Sequence, residues 1–479
     1  MRDEDFIAVV RRHCPSSLIP RVAALASTRM DPESWFRPRQ RGFGAPWALA
    51  EIARVSLAYG NEHRPAATED HLLQCSNAYT DLNDPELGDG YQGPLTGFFL
   101  RICEQLEYQV PLQNEMSRAA AIFLNTKPAG TPRVIRDDWQ TELFGTDLIS
   151  FVAAGQMLHM AARPNSGRFN PNWLDLPNFS FLPTVIDPAR LRTAWRRNYV
   201  IDQAAFKKLN GRQAPSPWRR FTHNPLLSHP AVSGIHNDWL IPTPALVVRR
   251  LSPLGIYYAG LNLWGKPFAD DLGDLLEQYI GNQLRLIPEA DVEPGFRYDR
   301  DNKETVDFIV TLPELVVLVE VKSVRPTAAV RAGAPDAESE LQRMLGKGVR
   351  QIERADNLIN NAHPAFAHIP TDRPRAGLLV TMEDFHILNS GFHSPIFHRT
   401  SQLPISICSA GELEHWVTVT DKTSGRVVLD AIKNQDISSG PAFSLKQELN
   451  GRSHRRNALI DAAWRLGPWQ RLREVSRKP

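Results

Sequence analysis

The chain is short of the features that would assign it to several broad classes. Its 479 residues contain four cysteines, Cys14, Cys75, Cys103 and Cys408, and none belongs to a CxxC pair. This argues against a disulfide framework or a zinc ribbon and fits a reducing cytosol, so the expectation is a cytoplasmic protein. No run approaches the ~18 apolar residues of a membrane span, and Met-Arg-Asp-Glu-Asp-Phe at the start holds no apolar signal stretch. Neither sign of charge dominates, with 55 Lys and Arg against 53 Asp and Glu for a formal net charge of +2. Affinity for a polyanion would have to come from local patches rather than a global field. No GxxxxGK[ST] occurs, so Gly346-Lys347-Gly348 is not a Walker loop, and no Gly-x-Ser-x-Gly elbow occurs. The 14 histidines are scattered, without HExxH context, and read as surface or satisfied core residues.

What is present is ordinary for a folded protein: 42% hydrophobic and 23% charged residues. The length suits two or three domains and a large core. There are 37 prolines, above the usual ~5% of residues, and they are spread along the chain as punctuation between elements.

Residues 1–240 predict a mainly helical N-terminal region. Phe6, Val9, Val10, Leu18, Val22 and Leu25 show helical spacing, repeated over 47–59 and 95–106. The acidic stretch 81–89 reads as a solvated loop, because its spacing is wrong for a calcium loop. Residues 163–188, rich in Pro, Asn, Ser and aromatics, suggest a linker or long loop. A basic, aromatic segment follows, with Arg196, Arg197, Lys207, Lys208, Arg219 and Arg220 near Trp195, Tyr199 and Phe206. Two readings stay open there. The cations could track phosphates while the rings stack on bases, or the rings could be core beneath a solvated basic face.

From 241 to 425 the pattern changes. Residues 245–251 and 255–261 predict short strands, 266–286 a helix, 297–298, 305–311 and 315–321 strands, and 337–361 a long helix. Strands at 376–381 and 404–407 and a helix from 412 complete a mixed sheet flanked by helices, so the fold class is α/β (α+β). Residues 426–479 form a basic C-terminal helical extension that includes Arg455 and Arg456. It reads equally as a strip along DNA phosphates or as a capping helix with a frayed end.

The stretch 305–323 is the most informative. Val306, Phe308 and Val310 alternate with Asp307, Ile309 and Thr311, Leu312-Pro313-Glu314 breaks the run, and an almost wholly apolar strand follows. Glu320 and Lys322 sit at its end, two apart and therefore on one face, where charge is costly unless partnered. In the preceding helix Glu277 lies beside an apolar stripe with Gly273 and Gly281 one turn away on either side, leaving room for a metal, a water or a backbone.

Asp307, Glu320 and Lys322 match the pattern D-x(10–20)-E-x-K, and the chain here resembles the PD-(D/E)XK nuclease superfamily, the restriction-endonuclease-like fold. The motif spans 307–322, and the likeness in element order covers roughly 245–420, under half of the chain. Val306 stands where the family has proline. The resemblance implies a metal-dependent nuclease in which Asp307 and Glu320, with the Val321 carbonyl, hold Mg²⁺, with Mn²⁺ as a substitute. Two such carboxylates repel one another, and a hard cation with oxygen ligands removes that conflict. Lys322 would sit near the attacking water. Glu277, in Gly-Asp-Leu-Leu-Glu-Gln-Tyr, would hold a second metal or orient that water, and Gln351, in Gly-Val-Arg-Gln-Ile, would position water or backbone. The implied partner is DNA, with RNA not excluded, and Arg325 joins the candidate nucleic-acid contacts. Restriction or anti-phage defence, as a homodimer or in a larger defence complex, is the expected setting. The rival reading is an inactive nuclease-like scaffold that binds DNA or a protein.

Overall fold

The computed structural model describes residues 1–30, 44–83, 105, 108, 111–211, 218–325, 327, 330, 336–385, 388–389, 402–434 and 442–469. Nearly all of the helix expected at 95–106, most of the acidic loop 81–89 and the basic tail 470–479 lie outside the described residues. The chain is a mixed α/β protein. Its N-terminal part contains α1 (Asp3–Val10), α2 (Pro15–Thr28), α3 (Pro46–Tyr59), α4 (Glu69–Thr80), α5 (Leu112–Ala120), α6 (Trp139–Phe144), α7 (Leu148–Ala162), α8 (Pro188–Asn198) and α9 (Gln203–Asn210). Prolines open α2, α3 and α8. A fixed φ suits the first helical position, where the missing N–H is not needed.

A four-stranded sheet also lies in this region, in the order β1 (Arg168–Phe169), β4 (Trp239–Leu240), β3 (Ala231–Ser233), β2 (Val200–Asp202). Its strands are two or three residues long, too short to show a period in sequence. Of the linker or long loop expected at 163–188, the long loop is found, and it is packed against the core. Phe169, Leu174 and Leu182 are buried in the main apolar cluster, and Pro171 and Pro177 open short 3₁₀ turns. Of the two readings of the basic, aromatic segment, the core reading is the one found. Trp195, Tyr199 and Phe206 are fully buried. Trp195 Nε1 donates to the Ala154 carbonyl at 2.8 Å, and Tyr199 Oη donates to the Phe151 carbonyl at 2.8 Å.

The strands expected at 245–251 and 255–261 are helices, α10 (Pro244–Leu251) and α11 (Pro253–Trp264). Short apolar runs do not separate a buried helix from a buried strand. Here Pro244 and Pro253 start helices, and the Ser252 hydroxyl caps α11 by accepting from Gly255 N at 3.3 Å. Then come α12 (Lys266–Leu284) and the strands β5 (Asp291–Pro294), β6 (Arg297–Tyr298), β7 (Lys303–Glu304), β8 (Phe308–Thr311) and β9 (Val316–Lys322). After them lie α13 (Ala337–Asn360), β10 (Arg375–Thr381), β11 (Ile405–Ser409), α14 (Ala410–Trp416), α15 (Ser424–Lys433), α16 (Leu445–Leu449) and α17 (Ala458–Leu466).

The larger sheet runs β11-β10-β9-β8-β5, antiparallel over β5, β8 and β9 and parallel over β9, β10 and β11. The sequence pattern misses β5, whose Asp-Val-Glu-Pro suits an edge strand, where polar residues and proline are tolerated. Strand β9 is central and lined on both sides. Val317, Val319 and Val321 pack with Leu272, Leu275, Leu276 and Tyr279 of α12. Val316 and Leu318 pack with Leu341, Leu345, Val349 and Ile352 of α13.

The cluster on the α12 side extends from Met116 in α5 to Trp469, so apolar packing is continuous across residue 240. A buried ionic group ties the same elements together. Arg118 of α5 donates twice to Glu414 of α14, at 2.7 and 2.9 Å, and also pairs with Glu115. Tyr279 Oη of α12 donates to Glu414 at 2.8 Å. Asp271 of α12 accepts from the backbone N–H groups of Arg133, Val134 and Ile135 at 2.7–2.9 Å, so this carboxylate anchors a loop to the helix.

Two substitutions test this packing. A Cβ on Gly281 of α12 would lie 2.6 Å from the Phe308 ring, which is itself buried. Gly281→Ala is therefore expected to lower stability by about 1–3 kcal/mol in urea unfolding, outweighing the ~1 kcal/mol that alanine adds in a helix. Arg118→Ala leaves Glu115 and Glu414 buried without their cation, and a loss of about 3–5 kcal/mol is expected in the same measurement.

Candidate active site

The register of the hairpin places the charged residues. Phe308 pairs with Val319 and Thr311 with Val316, and Leu312 N donates to the Leu315 carbonyl at 2.9 Å to close the turn. Past Phe308 the ladder opens. The Asp307 side chain, rather than a backbone carbonyl, accepts from Val321 N at 2.7 Å, while the Asp307 carbonyl accepts from Gly295 N at 2.6 Å. The Asp307 carboxylate thus fills the gap where the two strands part. Alternation along β9 puts Glu320 and Lys322 on the α13 face. The Asp307 carboxylate lies close enough for its charge to raise Glu320 and for the charges of Lys322 and Lys347 to lower its own carboxyl.

Glu320 is fully buried. Its Oε1 accepts from Lys322 Nζ, and its Oε2 is buried with no hydrogen-bond partner. Burial, then the charge of Asp307, push its carboxyl up to about 7, against the pull of Lys322 and, more weakly, of the Asp307 backbone N–H. Burial likewise raises the Asp307 carboxyl, opposed by the Val321 hydrogen bond and by the charges of Lys322 and Lys347. Glu277, on α12, is half-buried, and burial followed by the charges of Asp307 and Asp274 lifts it to about 7. The three carboxyls therefore sit in one electrostatic neighbourhood. Among the described residues, however, no three His, Cys, Asp or Glu side chains are grouped closely enough to hold a metal ion among themselves. The close set is Asp307 and Glu320, with Glu277 acting on it from the α12 layer.

Helix α13 covers this face at Gly348, where a Cβ would lie 3.4 Å from Lys322 Cε, 3.5 Å from Glu320 Cγ and 2.6 Å from Leu379. Gln351 lies one turn further along the same side of α13, and its Oε1 is buried without a partner. The glycines of α12 have a different use from the one expected. Gly281 makes room for the Phe308 ring, and Gly273 lies against Ser323, so neither opens a space for a metal. Sequence reasoning missed Lys347, which α13 brings near enough to lower Asp307, and Glu304, which raises both Asp307 and Glu277. Lys347 had one available signal: it immediately precedes the glycine that passes over the charged strand end.

The other candidate cations are differently engaged. Arg196 and Arg197 are exposed on α8 and border a cavity of about 530 Å³ with Arg192, and Arg197 also donates to the Glu142 carbonyl. Lys207 and Lys208 are exposed on α9, with Lys207 Nζ 3.5 Å from the Gly60 carbonyl. Arg219 pairs with Glu4 at 3.1 Å, and Arg220 lies 4.9 Å from the Phe221 ring centroid. Arg455 donates to the Leu286 and Val417 carbonyls and tethers the C-terminal segment, while Arg456 is 3.9 Å from Asp461. None of these contacts reaches the Asp307 cluster. Arg325, three residues beyond Lys322, follows directly from the end of β9.

No protein-family model matches the chain, and no curated protein is significantly similar to it.

The raised carboxyls set a pH dependence. A carboxyl whose folded pKa exceeds its ordinary 4.5 stabilises the fold fully below 4.5, and that contribution is lost as pH rises through about 7. The stability of the metal-free protein relative to Glu320→Gln is therefore expected to fall as pH rises from 4.5 to about 7. Thermal melts of both proteins across that window check this, and a constant difference between them would contradict it.

Proposed function

We propose that the chain is a Mg²⁺-dependent nuclease of the PD-(D/E)XK superfamily, with the restriction-endonuclease-like fold over the β5–β11 sheet. The observation that carries this reading is Glu320 Oε2, a buried carboxylate oxygen without a hydrogen-bond partner among the described residues, on the same sheet face as Lys322 and within the electrostatic reach of Asp307. An anionic oxygen in that position is costly unless a cation joins it. The element order supports the reading too: α12, an antiparallel β5–β8–β9 unit, the α13 crossover, and β10 parallel to β9.

The donor set fits a hard divalent ion, since Mg²⁺ takes one or two carboxylates and keeps waters and a substrate phosphate for its other positions. Asp307 and Glu320, with the Val321 carbonyl, would hold Mg²⁺ or Mn²⁺, which supplies an activated water and positive charge at the phosphoryl oxygens. Lys322, one-fifth exposed and anchored on Glu320, would position the attacking water and offset charge on the phosphorus oxygens. Glu277, whose carboxyl is lifted to about 7 by burial and by the charge of Asp307, would orient a water at this site and accept a proton from it. Gln351 offers its unpaired carbonyl oxygen as a further acceptor for that water. DNA as substrate, with a restriction or anti-phage role, rests on likeness to the superfamily.

Cleavage of plasmid DNA and of RNA, titrated with Mg²⁺ and Mn²⁺, tests the proposal. Lys322→Ala and Asp307→Asn are each expected to lower the DNA cleavage rate by about 10²–10⁴-fold. Unchanged cleavage in both variants overturns the assignment. DNA binding without cleavage at any metal concentration favours the scaffold reading, and cleavage of RNA alone moves the substrate.

A further inference from the structure

Three residues beyond Lys322 lies Arg325, a cation with no anion partner among the described residues. The Arg325 guanidinium lies 4.4 Å from the Tyr257 ring centroid and 4.2 Å from that of Tyr258. The two rings of α11 stand at 74° to each other and form a corner that holds it. Arg325 has no hydrogen bond or ion pair among the described residues, and its Nε is buried and unpartnered. Tyr257 is buried, whereas Tyr258 is 40% exposed, so the corner opens to solvent on one side.

Ring contacts stabilise a guanidinium and fix its plane, yet they satisfy none of its N–H donors. A partly desolvated cation with unused donors is the complement of a phosphate, which accepts two parallel N–H bonds from arginine and cannot do so from lysine. An extended chain advances ~3.3 Å per residue, so Arg325 lies within about 10 Å of Lys322. Successive phosphates of one strand advance ~3.4 Å along a duplex axis, which puts the reachable phosphate within a few nucleotides of the one at Lys322.

We propose that Arg325, held in the Tyr257–Tyr258 corner, is a fixed phosphate clamp that sets the register of the nucleic-acid strand beside the scissile bond. This deepens the nuclease reading and rests on it. Arg325 is a positioning residue: it binds a phosphate that does not react, so it contributes to ground state and transition state alike. The tyrosines prepay the cost of ordering a long side chain, which is what a clamp requires.

The test is binding of a short DNA duplex to the full chain without divalent ions, followed by anisotropy over a salt series, with steady-state cleavage measured in parallel. Arg325→Met is expected to weaken binding about tenfold or more and to reduce the slope of log affinity against log salt by about one. It is also expected to raise KM with kcat unchanged. Arg325→Lys keeps the charge and most of the salt slope but loses the tight binding, and Tyr258→Ala resembles it, while Tyr258→Phe behaves as wild type. A purely structural arginine would lower the melting temperature of Arg325→Met and leave the salt slope unchanged, and that result overturns the proposal. So does absence of DNA binding by the wild type. If the wild type binds but does not cleave with Mg²⁺, the nuclease reading fails and the salt slopes still decide the clamp.

Discussion

A carboxylate on the central strand of a five-stranded sheet, fully buried and only half satisfied, constrains everything around it. Glu320 has Lys322 on one oxygen, and the other is buried without a hydrogen-bond partner among the described residues. Such a group survives in an apolar sheet only if its surroundings hold it, because the isolated ion would be expelled or neutralised. Burial and Asp307 already draw it towards the neutral form near pH 7. The valines and leucines on both faces of β9 provide the rigidity, and the splay of the ladder at Asp307 provides the second carboxylate.

The layers around β9 bring further groups to the same place by different means. Helix α13 approaches through Gly348, whose missing side chain lets the helix pass over Glu320 and Lys322 and brings Lys347 and Gln351 with it. Helix α12 sits on the opposite face and reaches the strand end with Glu277. Its position is held by Gly281 against Phe308, by Asp271 against the 133–135 backbone and by Tyr279 against the Arg118–Glu414 pair. The N-terminal helices are thus coupled to the site through packing and a buried ionic group, although they carry none of its acidic residues.

Sequence reasoning succeeded where local pattern and tertiary environment demand the same thing. The β8–β9 hairpin, α12 and α13 were legible because their apolar periods match faces that are in fact buried, and Glu320 and Lys322 were legible as charge at the end of an apolar strand. It failed where one pattern serves two structures. Val247, Val248, Ile256 and Tyr257 read as strand residues, but prolines at helix starts and the Ser252 cap made helices of them. Strand β5 was lost because an edge tolerates polar residues, and Lys347 because its role depends on where a helix lands.

The order of residues alone determined that Asp307, Glu320 and Lys322 belong to one hairpin, that Glu320 and Lys322 share a face, and that Trp195, Tyr199 and Phe206 could serve as core. Strand alternation and apolar spacing are short-range properties, and each needs only a few neighbours. Tertiary structure alone decided that Asp307 bonds to Val321 where the strands part, that the α12 glycines accommodate Phe308 and Ser323, and that Arg325 rests against two tyrosines of α11. Those outcomes depend on which surfaces meet across the sheet, and side chains dozens of residues apart are brought into contact only when whole layers pack.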